Sequence, residues 1–436
     1  MAETIYALAS GAGRSAVAII RVSGPASRHV LERLIGRCPE PRRAVLAAIV
    51  HPQTHELLDR GLVLWFPGPA SFTGEDGAEF QVHGSRAVVA ALLDAIGRVP
   101  DCRLAEAGEF TRRAFGHGKL DLAAVEGLAD LIEAQTEAQR RQALHQLDGV
   151  LGRWVQDLRD DLLTALALAE SAIDFADEDD VAADALAIAL DTATAVAERI
   201  SQELAKPRTA ERIRDGFVVA LAGPPNAGKS TLLNALARRD VALVSPIAGT
   251  TRDAIEIELD LGGFAVILID TAGLHVSEDP LEQAGMERAR ARAKAADLVF
   301  WLQDCADSPA LPAEHGFAEI WTIGTMLDRT LTPAPGHDLL IAAPSGQGLS
   351  DLTERLRQKV SQELSGGESA VLARARHRGA LEAALRALRQ SLGFHEAPEV
   401  VAENFRMAND ALATIAGRIE VEDVLGAIFS RFCIGK

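Results

Sequence analysis

The sequence predicts a multidomain protein that combines α/β and all-α parts, and three observations predict this class. A Gly-rich loop between an apolar run and a helical pattern lies near the middle of the 436-residue chain. Apolar residues at helical spacing occur on both sides of this central region, and alternating apolar residues typical of strands precede them. Two helical segments around an α/β segment indicate one helical domain with an α/β domain inserted into it, because the ends of a domain commonly lie close together. Two separate helical bundles are the alternative.

Charge and composition restrict the function. The net charge is −18 and uneven: residues 1–118 have 13 Lys and Arg against 12 Asp and Glu, whereas residues 119–215 have 10 against 21. A protein that binds nucleic acid over a broad surface is expected to be basic, so any RNA contact should be local or supplied by a partner. The four cysteines form no CxxC pair, which indicates a reducing compartment. We expect a cytoplasmic protein without a membrane span.

The first predicted domain, residues 1–118, has a mixed α/β pattern. Residues 15–22 and 61–66 alternate as strands, and residues 87–96 have the spacing of a helix. Three polar clusters with glycine are interpreted as loops, where ligands commonly bind. They are residues 71–76, 79–84 and 108–115. Ordinary turns and solvated faces are the alternative interpretation of these clusters.

The predicted helical domain consists of residues 119–213 and residues 365–436. Helical spacing covers residues 121–132, 144–168 and 184–204 in the first part, and residues 380–392, 400–415 and 420–429 in the second. An acidic break at residues 174–180 interrupts the first part, and Lys206-Pro207 is interpreted as a linker. The inserted α/β domain is predicted to span residues 214–364.

The inserted domain contains the pattern of a phosphate-binding P-loop. Residues 223–230 read Gly-Pro-Pro-Asn-Ala-Gly-Lys-Ser, after the apolar run 217–222 and before a helical pattern at residues 231–236. Backbone N–H groups and the helix N-terminus hold phosphates in such loops. We expect Lys229 to reach the β- and γ-phosphates and Ser230 to bind Mg²⁺.

Two further motifs favour a GTPase over a generic P-loop ATPase or kinase. Residues 247–253 read Ile-Ala-Gly-Thr-Thr-Arg-Asp, where a threonine can bind Mg²⁺ and sense the γ-phosphate, as switch I does. An apolar strand at residues 264–269 leads into Asp270-Thr-Ala-Gly, which is the expected position of the Mg²⁺-associated aspartate and of switch II.

The guanine-recognition loop departs from the usual pattern. Residues 325–328 read Thr-Met-Leu-Asp where GTPases usually have Asn-Lys-x-Asp, after predicted strands at residues 298–302 and 320–325. The Asp328 carboxylate can pair with the N1 and N2 donors of guanine. Residues 342–344, Ala-Ala-Pro, stand where a Ser-Ala-Lys-like loop is usual. We therefore expect guanine specificity to be kept and nucleotide affinity to be weakened.

Two residues have roles that the residues alone leave open. Leu274 follows the Asp-Thr-Ala-Gly motif where Ras-like GTPases have a water-orienting Gln, so Glu282 is the candidate for this role. A solvated carboxylate at a helix start is its alternative. Cys433 lies near the end of the chain beside basic residues, which favour a nucleophilic thiolate. A buried structural thiol is the alternative there.

Together these features resemble the MnmE (TrmE) family of tRNA uridine-modification GTPases over nearly the whole chain. The motifs that carry the resemblance are residues 19–25, 71–76, 108–111, 118–122, 249–253, 270–274 and 432–436. The tail Phe-Cys-Ile-Gly-Lys is the most specific of them. The resemblance implies an α/β folate-binding-like N-terminal domain, a discontinuous helical domain and an inserted Ras-like G domain.

The resemblance implies that the N-terminal domain binds a formyl-tetrahydrofolate, a one-carbon donor, and mediates homodimerisation. The matching folate contacts are Arg21, Glu79, Lys119 and Lys436. Arginine and lysine suit the glutamate carboxylates of folate, and glutamate suits the hydrogen-bond donors of the pterin ring.

The resemblance also implies a GTPase that K⁺ activates and that uses Mg²⁺. The matching K⁺ ligands are Asn226, Ser245, Ile247 and Thr250, and the matching Mg²⁺ ligands are Ser230 and Thr251. Glu282 matches the hydrolytic glutamate of the family, and Cys433 matches the tail cysteine proposed to act in the modification chemistry. The predicted GTP contacts are Asn226, Ala227, Gly228, Lys229, Ser230, Thr231, Ser245, Pro246, Ile247, Ala248, Gly249, Thr250, Thr251, Asp270, Thr271, Ala272, Gly273, Thr325, Asp328, Ala342, Ala343 and Pro344.

The partner that the resemblance implies is MnmG, a flavoprotein with which the family installs a (carboxymethyl)aminomethyl group at C5 of the wobble uridine of certain tRNAs. A partner that carries much of the tRNA binding agrees with the net charge of −18. The alternative is a regulatory GTPase that binds RNA or a ribosome-assembly partner without modification chemistry, and Cys433 and the N-terminal clusters argue against it. A scaffold that binds nucleotide poorly is a third hypothesis.

Overall fold

The chain forms two compact units in a computed structural model. The structure describes residues 3–174, 179–239, 241–243, 256–270, 296–309, 311, 319–367, 371–394, 397–417 and 435. The first unit contains Met1–Ala129, Leu147–Ala197 and Ala383–Lys436, and the second contains Asp130–Gln146 and Glu198–Glu382. Each unit therefore consists of segments that are distant in the sequence.

The helices and strands of the described residues follow one another along the chain. They are β1 (Thr4–Leu8), β2 (Ser15–Ser23), α1 (Ser27–Ile35), β3 (Val45–Val50), β4 (Leu57–Phe66), β5 (Gly77–Gly84), α2 (Arg86–Gly97), β6 (Cys102–Leu104), α3 (Glu109–Gly116), α4 (Leu122–Glu133), α5 (Glu137–Leu147), α6 (Val150–Asp174), α7 (Asp179–Ala205), α8 (Thr209–Asp215), β7 (Phe217–Ala222), α9 (Lys229–Ala237), β8 (Glu256–Asp260), β9 (Ala265–Asp270), β10 (Leu298–Asp304), β11 (Ile320–Thr325), β12 (Leu339–Leu340), α10 (Leu349–Leu364), α11 (Ala375–Ser391) and α12 (Pro398–Ala416).

The first unit contains a six-stranded sheet with the order β3-β4-β5-β2-β1-β6. Neighbouring strands are antiparallel except β1 and β6, which are parallel. Ile20, Val22 and Phe80 are fully buried on one face, in the same core as side chains of α1 and α2. Because successive side chains of a strand point to opposite faces, Arg21 and Glu79 lie on the other face.

Two of the three polar clusters interpreted as loops are regular elements, and that interpretation was wrong for them. Residues 79–84 lie in β5 and residues 109–115 lie in α3, whereas residues 71–76 do lie in a loop. In β5 the polar residues alternate with the buried Phe80 and Val82, which is the pattern of a strand with one solvated face. In α3 the buried Phe110 and Ala114 are four residues apart, on one face of the helix.

Helices from both halves of the sequence pack together in the first unit. α6 and α12 pack against each other, and their buried residues include Leu158 and Leu162 of α6 and Phe405 of α12. The Arg159 Nε donates a hydrogen bond to Asn409 Oδ1 at 3.1 Å. This packing confirms the predicted discontinuous helical domain.

The continuous helix predicted over residues 144–168 was wrong in one respect. α5 ends at Leu147 and α6 begins at Val150, so the chain breaks between them. Gly149 has a φ of 73°, in the left-handed region that glycine adopts without a steric penalty from Cβ. The Asp-Gly pair at residues 148–149 is the local signal for this break.

The second unit contains a six-stranded sheet with the order β12-β11-β10-β7-β9-β8. All neighbouring strands are parallel except β8, which is antiparallel to β9. Phe217, Val219 and Leu221 of the central β7 are fully buried in the core. The sheet confirms the predicted Ras-like α/β domain. In such sheets ligands bind at the carboxyl ends of the strands where the strand order reverses, and here that place is the end of β7.

The division between the two units falls inside helices. It passes through α4, α7 and α11 and before the last residue of α5, so residues 130–146, 198–213 and 365–382 belong to the same compact unit as the second sheet. None of the helices in the described ranges combines the length and the apolar composition that a membrane span needs.

Candidate functional site

The P-loop follows β7 and turns sharply before α9. Gly223 has a φ of 137°, and a Cβ there would lie 2.1 Å from the carbonyl oxygen of Leu302, so this position requires glycine. Asn226 and Gly228 also have positive φ values, 61° and 91°. α9 begins at Lys229 directly after the loop, so the N–H groups of its first turn are available for phosphate oxygens.

The Lys229 side chain folds back over the P-loop. Its Nζ donates hydrogen bonds to the carbonyl oxygens of Gly223 at 2.9 Å and Pro224 at 2.8 Å. Burial lowers the pKa of the Lys229 ammonium, and the Asp270 carboxylate opposes this shift. The ammonium is therefore held at the loop where phosphates bind, with neutral partners that a phosphate anion can replace.

The structure brings together Ser230 and Asp270, which the sequence placed in separate motifs. The Ser230 Oγ donates a hydrogen bond to Asp270 Oδ2 at 2.9 Å. Asp270 is buried at the end of β9, and Ser230 is exposed in the first turn of α9. A hydroxyl and a carboxylate are oxygen ligands of the kind that Mg²⁺ binds, so these residues fit a magnesium ion next to the P-loop.

Thr325 connects the guanine loop to the P-loop. Its Oγ1 lies 2.9 Å from the carbonyl oxygen of Ala227 and 3.0 Å from that of Gln303, and the residue is 4% exposed. The single hydroxyl proton can serve one of these acceptors at a time. The sequence pattern did not predict this contact. The sequence feature that could have indicated the contact is a short polar residue, Thr325, at the end of the apolar strand β11.

The remaining guanine-loop residues lie beside a second loop. The Leu327 N–H donates a hydrogen bond to the carbonyl oxygen of Ile341 at 3.1 Å, which brings Asp328 close to residues 342–344 in the chain fold. Asp328 is exposed in a short 3₁₀ turn, Leu327–Arg329, and Ala342 is fully buried. An exposed carboxylate at this position is available to a base.

Several predicted site residues lie outside the described residues, and their roles stay predictions. They are Ser245, Pro246, Ile247, Ala248, Gly249, Thr250, Thr251, Thr271, Ala272, Gly273, Glu282, Cys433 and Lys436. Gly435, by contrast, is described and buried, and a Cβ on it would lie 2.0 Å from the carbonyl oxygen of Leu8. The backbone next to the C-terminus therefore lies against the end of β1.

A cavity of about 340 Å³ lies at the face of the N-terminal sheet that carries Arg21 and Glu79, opposite α1 and α2. Its lining includes Arg21, Ser23, Arg42, Phe66, Phe72 and Glu79. Arg21 and Glu79 are cross-strand partners on β2 and β5, and they form an ion pair at 3.0 Å. The Arg21 Cζ lies 5.3 Å from the ring centroid of Phe72 and 5.8 Å from that of Phe110. Lys119 is exposed and does not line this cavity.

Hydrogen bonds and ion pairs connect the cavity loop, residues 71–76, to β2 and α3. Glu75 accepts hydrogen bonds from the Ser23 hydroxyl at 2.8 Å and from Arg113 at 3.0 Å. Arg113 also pairs with Glu109 at 3.0 Å, and Arg103 pairs with Glu109 at 2.6 Å. Burial alone would raise the pKa of Glu109, but hydrogen bonds from Arg103, the Glu106 N–H and Arg113 lower it to about 2.

The second sheet and the P-loop that follows β7 define a P-loop nucleotide-binding protein of the Ras-like class. A protein-family model described as the MnmE helical domain matches residues 122–433, and one described as the GTP-binding protein TrmE N-terminus matches residues 4–119. By this match, and by the relatives described next, the chain belongs to the MnmE (TrmE) family.

The full-length relatives carry the same family name. A protein of Beijerinckia indica subsp. indica named tRNA modification GTPase MnmE is 53% identical over 434 residues, which cover 100% of this chain and 96% of that protein. A protein of the same name from Methylobacterium sp. is 52% identical and covers 100% of both chains. A third, from Rhodopseudomonas palustris, is 49% identical and covers 100% of this chain and 99% of the relative.

Proposed function

We propose that this protein is a K⁺-stimulated GTPase whose cycle drives modification of the wobble uridine of tRNA. The observation that carries the proposal is the convergence of Lys229, Ser230 and Asp270 at the end of β7 in a chain of the MnmE family. Its relatives are named tRNA modification GTPases. The proposed product is a (carboxymethyl)aminomethyl group at C5 of the uridine, made together with the flavoprotein MnmG.

Each residue of the nucleotide site in the G domain has a proposed role in GTP hydrolysis. The P-loop N–H groups and Lys229 hold the phosphates, and Lys229 exchanges its two carbonyl partners for phosphate oxygens. Ser230, with Asp270 and the predicted Thr251, would hold Mg²⁺, which neutralises charge on the β- and γ-phosphates when bound. Asp328 selects guanine, and Glu282 is proposed to orient the attacking water. The proposed K⁺ ligands are Asn226, Ser245, Ile247 and Thr250.

The cavity of the N-terminal domain is the proposed site of a formyl-tetrahydrofolate. Its volume of about 340 Å³ lies within the range of small-molecule sites, and it combines aromatic walls with a few charged groups. Glu79 would accept hydrogen bonds from the pterin ring. Lys119 and Lys436 are proposed to join the site, and Cys433 is proposed to act in the modification chemistry. We propose a cytoplasmic homodimer.

The test measures GTP hydrolysis in KCl and in NaCl at equal ionic strength. We expect stimulation by K⁺ in the wild type and its loss in Asn226→Ala, with GTP binding kept. Equal turnover in both salts would favour a regulatory GTPase, and the absence of both turnover and GTP binding would favour a scaffold. Cys433→Ser separates the two activities: we expect GTP hydrolysis to persist while tRNA modification in cells is lost.

A further inference from the structure

We propose that Arg42 selects the ligand of the N-terminal cavity by binding an anionic tail, so that the cavity takes a ring system that carries a flexible carboxylate. This inference rests on the proposed folate site and adds a specificity-determining residue to it. Arg42 lies outside the motifs that carry the family resemblance, and it enters the site only through the fold.

The cavity has a buried floor and an exposed rim. Ser23 of the lining is buried on the face of Arg21, and Val22 and Ala78 are buried with their side chains on the opposite face of the sheet, whereas Arg42 and Phe72 are exposed. A pterin ring suits the inner part of the cavity, where its faces are removed from water and its N–H donors can reach the Glu79 carboxylate. A charged tail keeps its hydration, or finds a charged partner, at the rim. This difference in exposure between the inner part and the rim favours a ligand that binds with its ring inside the cavity and its carboxylate beside Arg42.

The second arginine of the lining already has a partner of opposite charge. Both Nε and Nη2 of Arg21 lie 3.0 Å from Glu79 Oε1, and the guanidinium also contacts the rings of Phe72 and Phe110. The Arg21–Glu79 pair is neutral in sum. A ligand carboxylate that approached Arg21 would also meet the Glu79 carboxylate, which would repel it.

Arg42 is held in place by neutral groups. Its backbone N–H donates a hydrogen bond to the carbonyl oxygen of Trp65 at 2.8 Å, and its guanidinium donates one to the carbonyl oxygen of Ala70. Across the described ranges, no carboxylate forms an ion pair with Arg42. The guanidinium thus keeps donors for a bidentate carboxylate partner.

The backbone of Arg42 supports a functional role. Its φ is 59°, in the left-handed region that residues with a Cβ seldom adopt. Such conformations persist where the surrounding structure enforces them, and they are concentrated at ligand sites. Here the Arg42 N–H donates a hydrogen bond to the Trp65 carbonyl oxygen, and the side chain lines the cavity.

The test compares two probes that differ in the tail: 5-formyltetrahydrofolate, and 6-methyltetrahydropterin, which has the ring without the glutamate. Affinities are measured by titration calorimetry on the full-length protein. We expect Arg42→Ala to weaken binding of the folate about tenfold and to leave binding of the pterin unchanged. Arg42→Lys should be intermediate, because it keeps the charge and loses the planar fork.

The neighbour Arg43 supplies the matched control. It is exposed and pairs with Glu40, so Arg43→Ala should bind both probes as the wild type does. Equal weakening of both probes by Arg42→Ala would overturn the inference, because it would mean that Arg42 only supports the Ala70 segment. Unchanged folate affinity in Arg42→Ala would overturn it as well. If the wild type binds neither probe, the proposed folate site itself fails.

Discussion

Thr325 stands where the guanine loop of GTPases usually has asparagine, and its side chain contacts the P-loop. The usual asparagine of the guanine loop is absent, and the weakened nucleotide affinity expected from this remains a prediction. The threonine hydroxyl nevertheless lies 2.9 Å from the Ala227 carbonyl oxygen of the P-loop, away from solvent. It therefore connects residues 325–328 to the P-loop.

We expect Thr325→Val to weaken GDP binding about tenfold. Valine has nearly the same shape but removes the hydroxyl donor that the carbonyl oxygens of Ala227 and Gln303 share, which costs on the order of 1–3 kcal/mol. Thr325→Asn should restore binding. Thr322→Val is the control, because the Thr322 hydroxyl pairs with Asp338 and makes no P-loop contact. Wild-type GDP affinity in Thr325→Val, measured by fluorescence titration, would contradict this role.

Glu109 makes the stability of the first unit dependent on pH. Its pKa is about 2 in the folded protein and about 4.5 as the ordinary value. Because the folded value is the lower one, the stabilising effect of the carboxylate is complete above pH about 4.5. It is lost as the pH falls towards about 2. The carboxylate contributes at most about 3 kcal/mol to the free energy of unfolding.

We expect Glu109→Gln to speed hydrogen exchange in β1 and α3 at about pH 6, with a smaller difference from the wild type at about pH 3. The physical reason is that protonation removes the same ion pairs with Arg103 and Arg113 as the substitution does. Glu106→Gln is the control, since its pair with Arg112 is exposed and should matter little at either pH. A difference that is independent of pH would show that shape alone is responsible.

At the scale of elements, α5 forms hydrogen bonds with the chain segment before the second sheet, α8, and with the segment after it, at Val371. Gln139, Gln142 and Gln146 lie at intervals of three and four residues, on one face of the helix. Their side-chain amides donate to the carbonyl oxygens of Arg214 at 3.1 Å, Ala210 at 2.8 Å and Val371 at 3.1 Å, respectively. The first two acceptors belong to α8, and the third precedes α11.

We expect Gln142→Leu to destabilise the second unit by about 1–3 kcal/mol, because the Ala210 carbonyl oxygen loses its buried donor. Hydrogen exchange in α8 measures the local loss. Arg141→Ala on the exposed face of α5 is the control and should change the exchange rates little. Unchanged exchange in Gln142→Leu would mean that water replaces the amide at no cost.

At the scale of the whole molecule, the compact units do not follow the predicted domain limits. The inserted domain was predicted to begin at residue 214, but Ile213 is 2% exposed in the core of the second unit. Arg212 pairs with Asp297 and Glu363, and its Cζ lies 4.9 Å from the ring centroid of Phe217. The segment before residue 214 therefore contributes to the nucleotide-binding core.

We expect a fragment of residues 208–367 to unfold at a temperature higher by about 4 °C or more than a fragment of residues 214–364. The longer fragment keeps the buried Ile213 and the ion pairs of Arg212. Arg212→Ala in the longer fragment should remove part of the difference. Equal unfolding temperatures, measured by calorimetry in the same buffer, would contradict the assignment of α8 to this core.

Much of the fold and of the nucleotide site followed from local pattern. The P-loop, the strands around it and the order of the motifs depend on residues adjacent in the chain, and the structure confirms β7, β9, β10 and β11. The loop interpretation of residues 79–84 and 108–115 failed because polar residues on a solvated strand or helix face look like loop residues when their apolar neighbours are given too little weight.

The sequence alone determined the family, the Ras-like core and the helical domain made from two segments, because local periodicity and motif spacing carry that information. Only the tertiary structure decided which distant residues meet. Arg42 reaches the same cavity as Arg21 and Glu79, and the Thr325 hydroxyl reaches the Ala227 carbonyl oxygen across 98 positions of sequence. Such contacts depend on how strands pair and helices pack, and no spacing along the chain encodes them directly.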